Sequence, residues 1–369
     1  MQSRLLFSFA STMSTIGYLA LAVLVLLLMV MIHELGHYTA GKILKFKINE
    51  FSIGFGKAIF SKTNKSGEKI SLRIFPLGGY CAFDGEDEES ENSPTAFNNQ
   101  KPWKRLIVLF MGAFFNFLSG IIFSAIFLMA YGYVDVIKVD NIYNAPSIVE
   151  YETVTGKSEE QYDWLKKGDV IYKVNGENTS IIYDRYFTTM ISGFEENETF
   201  TVTVKRDGKM HDVLVYKRLI QLEGEDEAVL RVGANFSWYQ FGFFEALGRA
   251  FKFTIDWAIK VLVILWSLIT GKLAITNLGG PLTTITTIAE VTAANFANLF
   301  LLLPVIAANL AVFNLLPFPA LDGARMVFVL IEWIFRKPVN RKVEGMIHTI
   351  GLIVLLAFVV IVDILHFVL

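Results

Sequence analysis

Cysteine is almost absent from this chain: Cys81 stands alone in 369 residues. A single thiol excludes both an intrachain disulfide framework and a cysteine-rich zinc site, and Cys81 reads as a small buried side chain. Charge is scarce as well. Only 18% of residues are charged, 53% are hydrophobic, and the formal net charge is −2. That balance is too apolar for an ordinary soluble protein and suits a membrane protein carrying a soluble insert. No basic excess points to nucleic acid. Histidine is sparse too, at five residues, yet two of the five fall one helical turn apart.

Those two lie in Met31-Ile32-His33-Glu34-Leu35-Gly36-His37, at the end of an apolar run. On a helix, both imidazoles project from one face and can share a single metal. Glu34 is placed beside them to take a proton from a metal-bound water. Two protein ligands leave zinc under-coordinated, so a third must come from elsewhere in the chain, with water completing the tetrahedron. The competing reading is a chance match, with His33 ending a helix and Glu34 on the surface. The apolar setting weighs against it, because ionisable groups are costly in hydrocarbon and tend to be functional there.

Apolar runs of spanning length recur. Residues 15–32 lead straight into His33 and His37 with no A-x-A-like site, so region 1–40 reads as a retained first membrane helix, not a signal peptide. Region 106–134 is the second. Within it Gly112 and Asn116 share a helix face, which suits close packing and a helix–helix hydrogen bond, or an Asn facing a membrane-embedded site. Region 299–323 is the third, ending in Asn314-Leu315-Leu316-Pro317-Phe318-Pro319-Ala320-Leu321-Asp322-Gly323. Region 347–369 is the fourth.

The intervening regions differ in character. Region 41–105 holds Ile53-Gly54-Phe55-Gly56, then alternating Ile70, Leu72 and Ile74 ahead of Phe75-Pro76-Leu77-Gly78-Gly79-Tyr80, which predicts short strands with glycine turns or bulges. Asp84 to Glu91, with Ser93-Pro94, reads as a solvated acidic loop. Region 135–245 returns to a soluble composition with an acidic excess. Strands entering Asn175-Gly176 and Asp207-Gly208 turns predict one small β-rich domain there. In region 246–298 the apolar stretch from Trp257 to Thr270 contains Lys260 and is short for a span, which predicts an amphipathic helix on the membrane surface before Asn277-Leu278-Gly279-Gly280-Pro281 breaks the chain. Region 324–346 reads as a loop.

Loop charge sets the expected orientation. Region 41–105 has 11 Lys and Arg, and the loop after Asp322 has Arg336, Lys337, Arg341 and Lys342, against Arg4 alone in the N-terminal tail and none after Lys342. The positive-inside rule places those two loops in the cytoplasm and region 135–245 outside it. His33, His37 and Asp322 then fall at cytoplasmic ends of helices, so Asp322 is within reach as a third ligand. Pro317 and Pro319 unwind the helix at the same depth, an irregularity tolerated where it lines protein or a water-filled cavity. Taken alone, Asp322 reads better as a helix cap or a partner for Arg325 than as a ligand; its setting reverses that. His211, His348 and His366 lie outside any ligand spacing and read as structural.

The three motifs His33-Glu34-Leu35-Gly36-His37, Gly112-x-x-x-Asn116 and Asn314-x-x-Pro317-x-Pro319-x-Leu321-Asp322-Gly323 resemble those of the site-2 protease family of intramembrane zinc metalloproteases. The likeness is strongest to the bacterial regulators of sigma-factor proteolysis and covers nearly the whole chain. It implies a polytopic α-helical membrane protein with four transmembrane helices, membrane-associated β-loops and one inserted β-rich PDZ-like domain. It also implies one zinc per chain on His33, His37 and Asp322, with Glu34 as general base. Gly54, Gly56, Gly78 and Gly79 would then belong to β-loops that hold substrate as an extended strand, and Asn116 and Asn314 would handle substrate.

The segment Leu165-Lys166-Lys167-Gly168-Asp169-Val170-Ile171, with Val174-Asn175-Gly176, resembles a PDZ domain that could take a peptide tail. The best-known enterobacterial relatives carry two such domains in tandem; this chain has one. The expected substrates are single-span membrane proteins of anti-sigma-factor type or remnant signal peptides. The expected setting is the lipid bilayer of a bacterial cell membrane, with the PDZ-like domain extracytoplasmic and the site toward the cytoplasm. Two other classes compete. A non-catalytic scaffold built on the PDZ-like domain would leave Glu34 without a purpose. A transporter with an intramembrane metal path is disfavoured by only four spans and no internal repeat.

Overall fold

The computed structural model describes residues 2–86, 96–182, 184–274 and 278–368. Most of the expected acidic loop, including Ser93-Pro94, lies outside the described residues, as does Asn277 of the expected chain break. Along the chain come helix α1 (Gln2–Ile43), strands β1 (Ile48–Thr63) and β2 (Lys69–Phe83), and helix α2 (Pro102–Ala130). A strand-rich stretch follows: β3 (Ile137–Ile142), α3 (Ile148–Thr155), β4 (Val170–Val174), β5 (Glu177–Asn178), α4 (Phe187–Met190), β6 (Thr199–Arg206), β7 (Lys209–Tyr216), β8 (Arg218–Ile220), β9 (Val229–Arg231) and β10 (Ala234–Trp238). Five helices complete it: α5 (Phe243–Ile269), α6 (Pro281–Ala294), α7 (Ala297–Leu315), α8 (Asp322–Phe335) and α9 (Arg341–Val368).

Among the described residues, four helical stretches are long and apolar enough to cross a membrane: Ser14–Ile43, Pro102–Ala130, Ala297–Leu315 and Arg341–His366. Four such helices with β-sheets inserted among them make this a polytopic membrane protein. Two expectations are corrected at the third span. Helix α7 ends at Leu315, just before Pro317 and Pro319, so Asp322 is not on that helix but opens the next one. Region 324–346, expected as a loop, is largely helical, because α8 runs to Phe335 and α9 begins at Arg341. Ten residues from Met326 to Phe335 are too few to span a bilayer, which hid their helical spacing.

The chain forms two compact units, one made of the chain up to Ser124 and from Phe253 onward, the other of Ala125–Lys252. In the first unit, β1 and β2 bend so that each contributes two segments to one layer, whose central pairing runs parallel and whose two outer pairings run antiparallel. Glu50–Ile53 pairs with Gly79–Ala82 on one side and with Lys69–Leu72 on the other, and Phe60–Thr63 pairs with Lys69–Leu72 in turn. Gly79–Ala82 is therefore an edge, with no strand on its far side among the described residues.

This layer is built inside out. Ser52 and Ser71 are buried while Phe60, Ile70 and Leu72 are exposed. On the polar face Arg73 donates to Ser52 Oγ at 2.9 Å and to Glu50 Oε1 at 2.8 Å. Burial raises the Glu50 carboxyl, but hydrogen bonds from Ser71 and Arg73 outweigh it and lower the group from 4.5 to about 2. An apolar exterior over a polar, satisfied interior is the arrangement expected of a sheet in contact with lipid.

Two apolar clusters hold the helices. Ala22, Val25 and Met29 of α1 pack with Ile288 and Ala289 of α6 and with Leu303 and Ala307 of α7. Ala40, Phe46, Phe83, Val108, Leu109 and Val329 join the end of α1 to β2, α2 and α8. Buried Glu332 adds a polar tie, with Arg105 Nη1 at 2.5 Å and Arg341 Nη2 at 2.7 Å.

In the second unit the sheet order is β10-β3-β4-β6-β7, with β5 against β4. Val202 and Val204 of β6 and Val213 and Val215 of β7 alternate inward onto Trp164, Leu165 and Ile171, the period-two pattern of a sheet with one buried face. The two turns read from sequence are present. Val174 pairs with Glu177 across Asn175-Gly176, and Arg206 pairs with Lys209 across Asp207-Gly208.

Candidate metal and catalytic site

Helix α1 carries His33 and His37 one turn apart, both buried, and α8 brings Asp322 to them from far along the chain. His33 Nε2 lies 3.0 Å from Asp322 Oδ2, His37 Nε2 lies 3.2 Å from the same oxygen, and the two Nε2 atoms are 3.1 Å apart. Among the described residues this is the cluster of histidine and carboxylate donors that could hold a metal ion. A tetrahedral ion bonded at 2.0–2.1 Å separates neighbouring ligands by about 3.3 Å, so the triangle of donors fits zinc. His37 Nδ1 donates to the Val108 carbonyl at 2.8 Å, which turns its Nε2 inward.

The local sequence explains how such crowding is possible. A Cβ at Gly112 of α2 would fall 2.7 Å from His33 Cε1 and against His37 Nε2. Glycine leaves room for the two imidazoles. One turn further, Asn116 Nδ2 lies 3.3 Å from His33 Nδ1, and Asn314 Nδ2, in the last turn of α7, lies 3.5 Å from the same nitrogen. Both asparagines expected to handle substrate thus border a histidine.

Between α7 and α8 the chain turns sharply. Ala320 adopts φ +84°, an uncommon value for a residue with a Cβ, and its N–H donates to His348 Nδ1 at 3.0 Å. His348 therefore braces the turn that presents Asp322.

His33, Glu34, His37 and Asp322 line a cavity of about 420 Å³ together with Tyr80, Cys81, Ala82, Phe83, Glu86, Val108, Leu109 and Arg325. Of the four glycines expected near substrate, Gly79 meets the site: a Cβ there would lie 3.4 Å from Glu34 Cγ and 2.7 Å from the Ser52 carbonyl. Gly54 and Gly56 instead border Phe75, and Gly78 borders the Phe55 ring, all within the sheet.

Sequence reasoning missed the strand from Tyr80 to Phe83, Glu86 and Arg325 as parts of the cavity. Arg325, weighed from sequence as an ion-pair partner of Asp322, instead turns to Glu86 and pairs with it at 2.7 Å. Burial opposes its charge, but Glu86 and Asp322 outweigh burial and keep the guanidinium protonated. Cys81, expected as a buried packing residue, lines the cavity as well.

Two buried imidazoles, a carboxylate and a neighbouring glutamate at one cavity of a polytopic membrane protein define a membrane-embedded metallohydrolase. Comparison with known proteins narrows this class. The model of peptidase family M50 matches residues 21–358, and the chain belongs to that family, the site-2 proteases. A relative from Fusobacterium nucleatum is 30% identical over 344 residues, covering 93% of this chain and 96% of its own. One from Rickettsia conorii is 29% identical, with 95% and 97% covered, and one from Clostridium perfringens is 28% identical, with 94% and 97% covered. All three are named as zinc metalloproteases. The chain is thus a zinc metalloprotease of multi-pass membrane type.

Proposed function

We propose that His33, His37 and Asp322 hold the zinc and that Glu34 is the general base of an intramembrane endopeptidase. One observation carries this reading: three donor atoms converge at 3.0–3.2 Å in a cavity that also holds Glu34. When bound, zinc polarises the scissile carbonyl and makes water a stronger acid. Glu34 takes the proton of the attacking water and passes it to the leaving amine nitrogen. His37 keeps its ring fixed through Val108, and His348 holds the turn before Asp322.

A peptide bond inside a helix is shielded by its own hydrogen bonds, so the substrate must be extended where it is cut. The free edge Gly79–Ala82 runs alongside Glu34 and supports strand addition, with backbone pairing giving affinity. Gly79 keeps that edge flat beside Glu34, Gly54, Gly56 and Gly78 shape the sheet behind it, and Asn314, half-buried, is available to a substrate backbone. The substrates are single-span membrane proteins of anti-sigma-factor type or remnant signal peptides. The second unit is the PDZ-like module, placed outside the cytoplasm of a bacterial cell, and takes a peptide tail. The site faces the cytoplasmic side.

The test is cleavage of a model single-span substrate by the purified wild type and by Glu34→Gln. The variant is expected to keep its zinc and to lose about 10²- to 10⁴-fold in rate. Cleavage at the wild-type rate by Glu34→Gln would remove Glu34 from the mechanism. Substrate association without cleavage by the wild type would instead favour a scaffold.

A further inference from the structure

The two zinc-binding histidines are supported differently, and the difference assigns a role to Asn116. A histidine that gives Nε2 to a metal carries its proton on Nδ1 and almost always donates it to an oxygen. His37 does so, to the Val108 carbonyl at 2.8 Å. Around His33 Nδ1 the near groups are two side-chain amides, Asn116 at 3.3 Å and Asn314 at 3.5 Å, each with its Nδ2 end toward the ring. Two N–H donors cannot satisfy a third.

Asn116 is 0% exposed, and its Oδ1 is buried without a hydrogen-bond partner among the described residues. A buried amide oxygen left unpaired is costly. Exchanging the ends of this amide changes neither shape nor packing. It brings the orphan oxygen to His33 Nδ1 and gives that proton its acceptor. Nδ1 carries one proton and needs one acceptor. Asn116 is nearer and wholly buried, whereas Asn314 is half-buried.

We propose that Asn116 is a positioning residue for the metal site: its Oδ1 accepts the His33 Nδ1–H and fixes the tautomer that presents Nε2 to zinc. The proposal rests on the reading of His33 as a zinc ligand and gives Asn116 a role other than contact with substrate. It also explains the spacing of the α2 motif. Gly112 clears space for the rings, and the residue one turn on reaches the back of one of them.

The test measures zinc affinity of the full-length, detergent-solubilised protein by competition with a chelator, for wild type, His33→Ala, Asn116→Leu, Asn116→Asp and Asn314→Leu. Asn116→Leu, which has similar bulk and no acceptor, is expected to weaken binding about 10- to 100-fold. Asn116→Asp, which keeps the acceptor and loses the amide donor, should bind at least as tightly as wild type, and Asn314→Leu should match it. Wild-type zinc affinity in Asn116→Leu, above all with a raised KM, overturns the proposal and returns Asn116 to substrate contact. Binding by Asn116→Asp as weak as that of Asn116→Leu overturns it too, and remains readable if the leucine variant fails to fold. If His33→Ala binds zinc as wild type does, the ligand assignment fails and this proposal falls with it.

Discussion

Two aspartates, the buried Asp169 and the half-buried Asp322, one in each unit, show what separates a carboxylate that holds a fold from one that waits for a ligand. Asp169 of the second unit is fully buried, and Arg206 grips it at both oxygens, at 2.7 Å each. The Lys166 N–H adds a bond at 2.8 Å. One anion meets one bidentate cation and a backbone donor, and nothing is left over. Among the described residues, Asp322 of the first unit has no such bidentate partner. Its Oδ2 faces two imidazole nitrogens that are 3.1 Å from each other. Three lone-pair donors aimed at one point call for a cation, not for another hydrogen bond. The closed cluster is a structural pair; the open one is the proposed metal site.

That contrast can be broken from either side. The largest effect is expected from Asp322→Ala, which removes one of three donors. Zinc content by mass spectrometry should fall from about one per chain to near zero, and cleavage should vanish with it. Retained zinc in this variant would make Asp322 a cluster of the Asp169 kind.

Asp169→Ala should act in the opposite way. Arg206 would keep Asp163 and the Trp164 carbonyl but lose its buried bidentate partner, which is expected to destabilise the second unit by about 1–3 kcal/mol, read as a lower denaturant midpoint, with zinc content unchanged. A smaller effect is expected from Gly112→Ala. The new methyl group meets His33 and His37, so zinc affinity should drop on the order of tenfold while the second unit unfolds as in wild type.

Much of the site was legible in the chain before the fold was known. His33, Glu34 and His37 follow from helical spacing alone, and Gly112 with Asn116 from the same periodicity. The two hairpin turns at Asn175-Gly176 and Asp207-Gly208 are written in residues that tolerate left-handed backbone. What was not legible depends on contacts between distant segments. Nothing local to Val108 marks its carbonyl as the partner of His37. The strand from Tyr80 to Phe83 borders the cavity only because β1 and β2 bend and pair twice. Helix α8 was hidden between a proline-broken motif and a basic segment; its apolar positions Val327, Leu330, Ile331 and Ile334 recur at helical spacing but stay exposed. Asn116 and Asn314 were found by pattern, yet their shared neighbour His33 emerges only when α1, α2 and α7 pack together.

Cys81 gives the central claim its sharpest test, because the thiol lines the same cavity as the three proposed ligands. X-ray absorption at the zinc edge of the purified, zinc-loaded protein separates the possibilities. The account predicts a shell of nitrogen and oxygen at about 2.0–2.1 Å with outer scattering from two imidazoles and no sulfur. A sulfur shell at about 2.3 Å, or a signal without imidazole, would contradict the assignment of His33, His37 and Asp322.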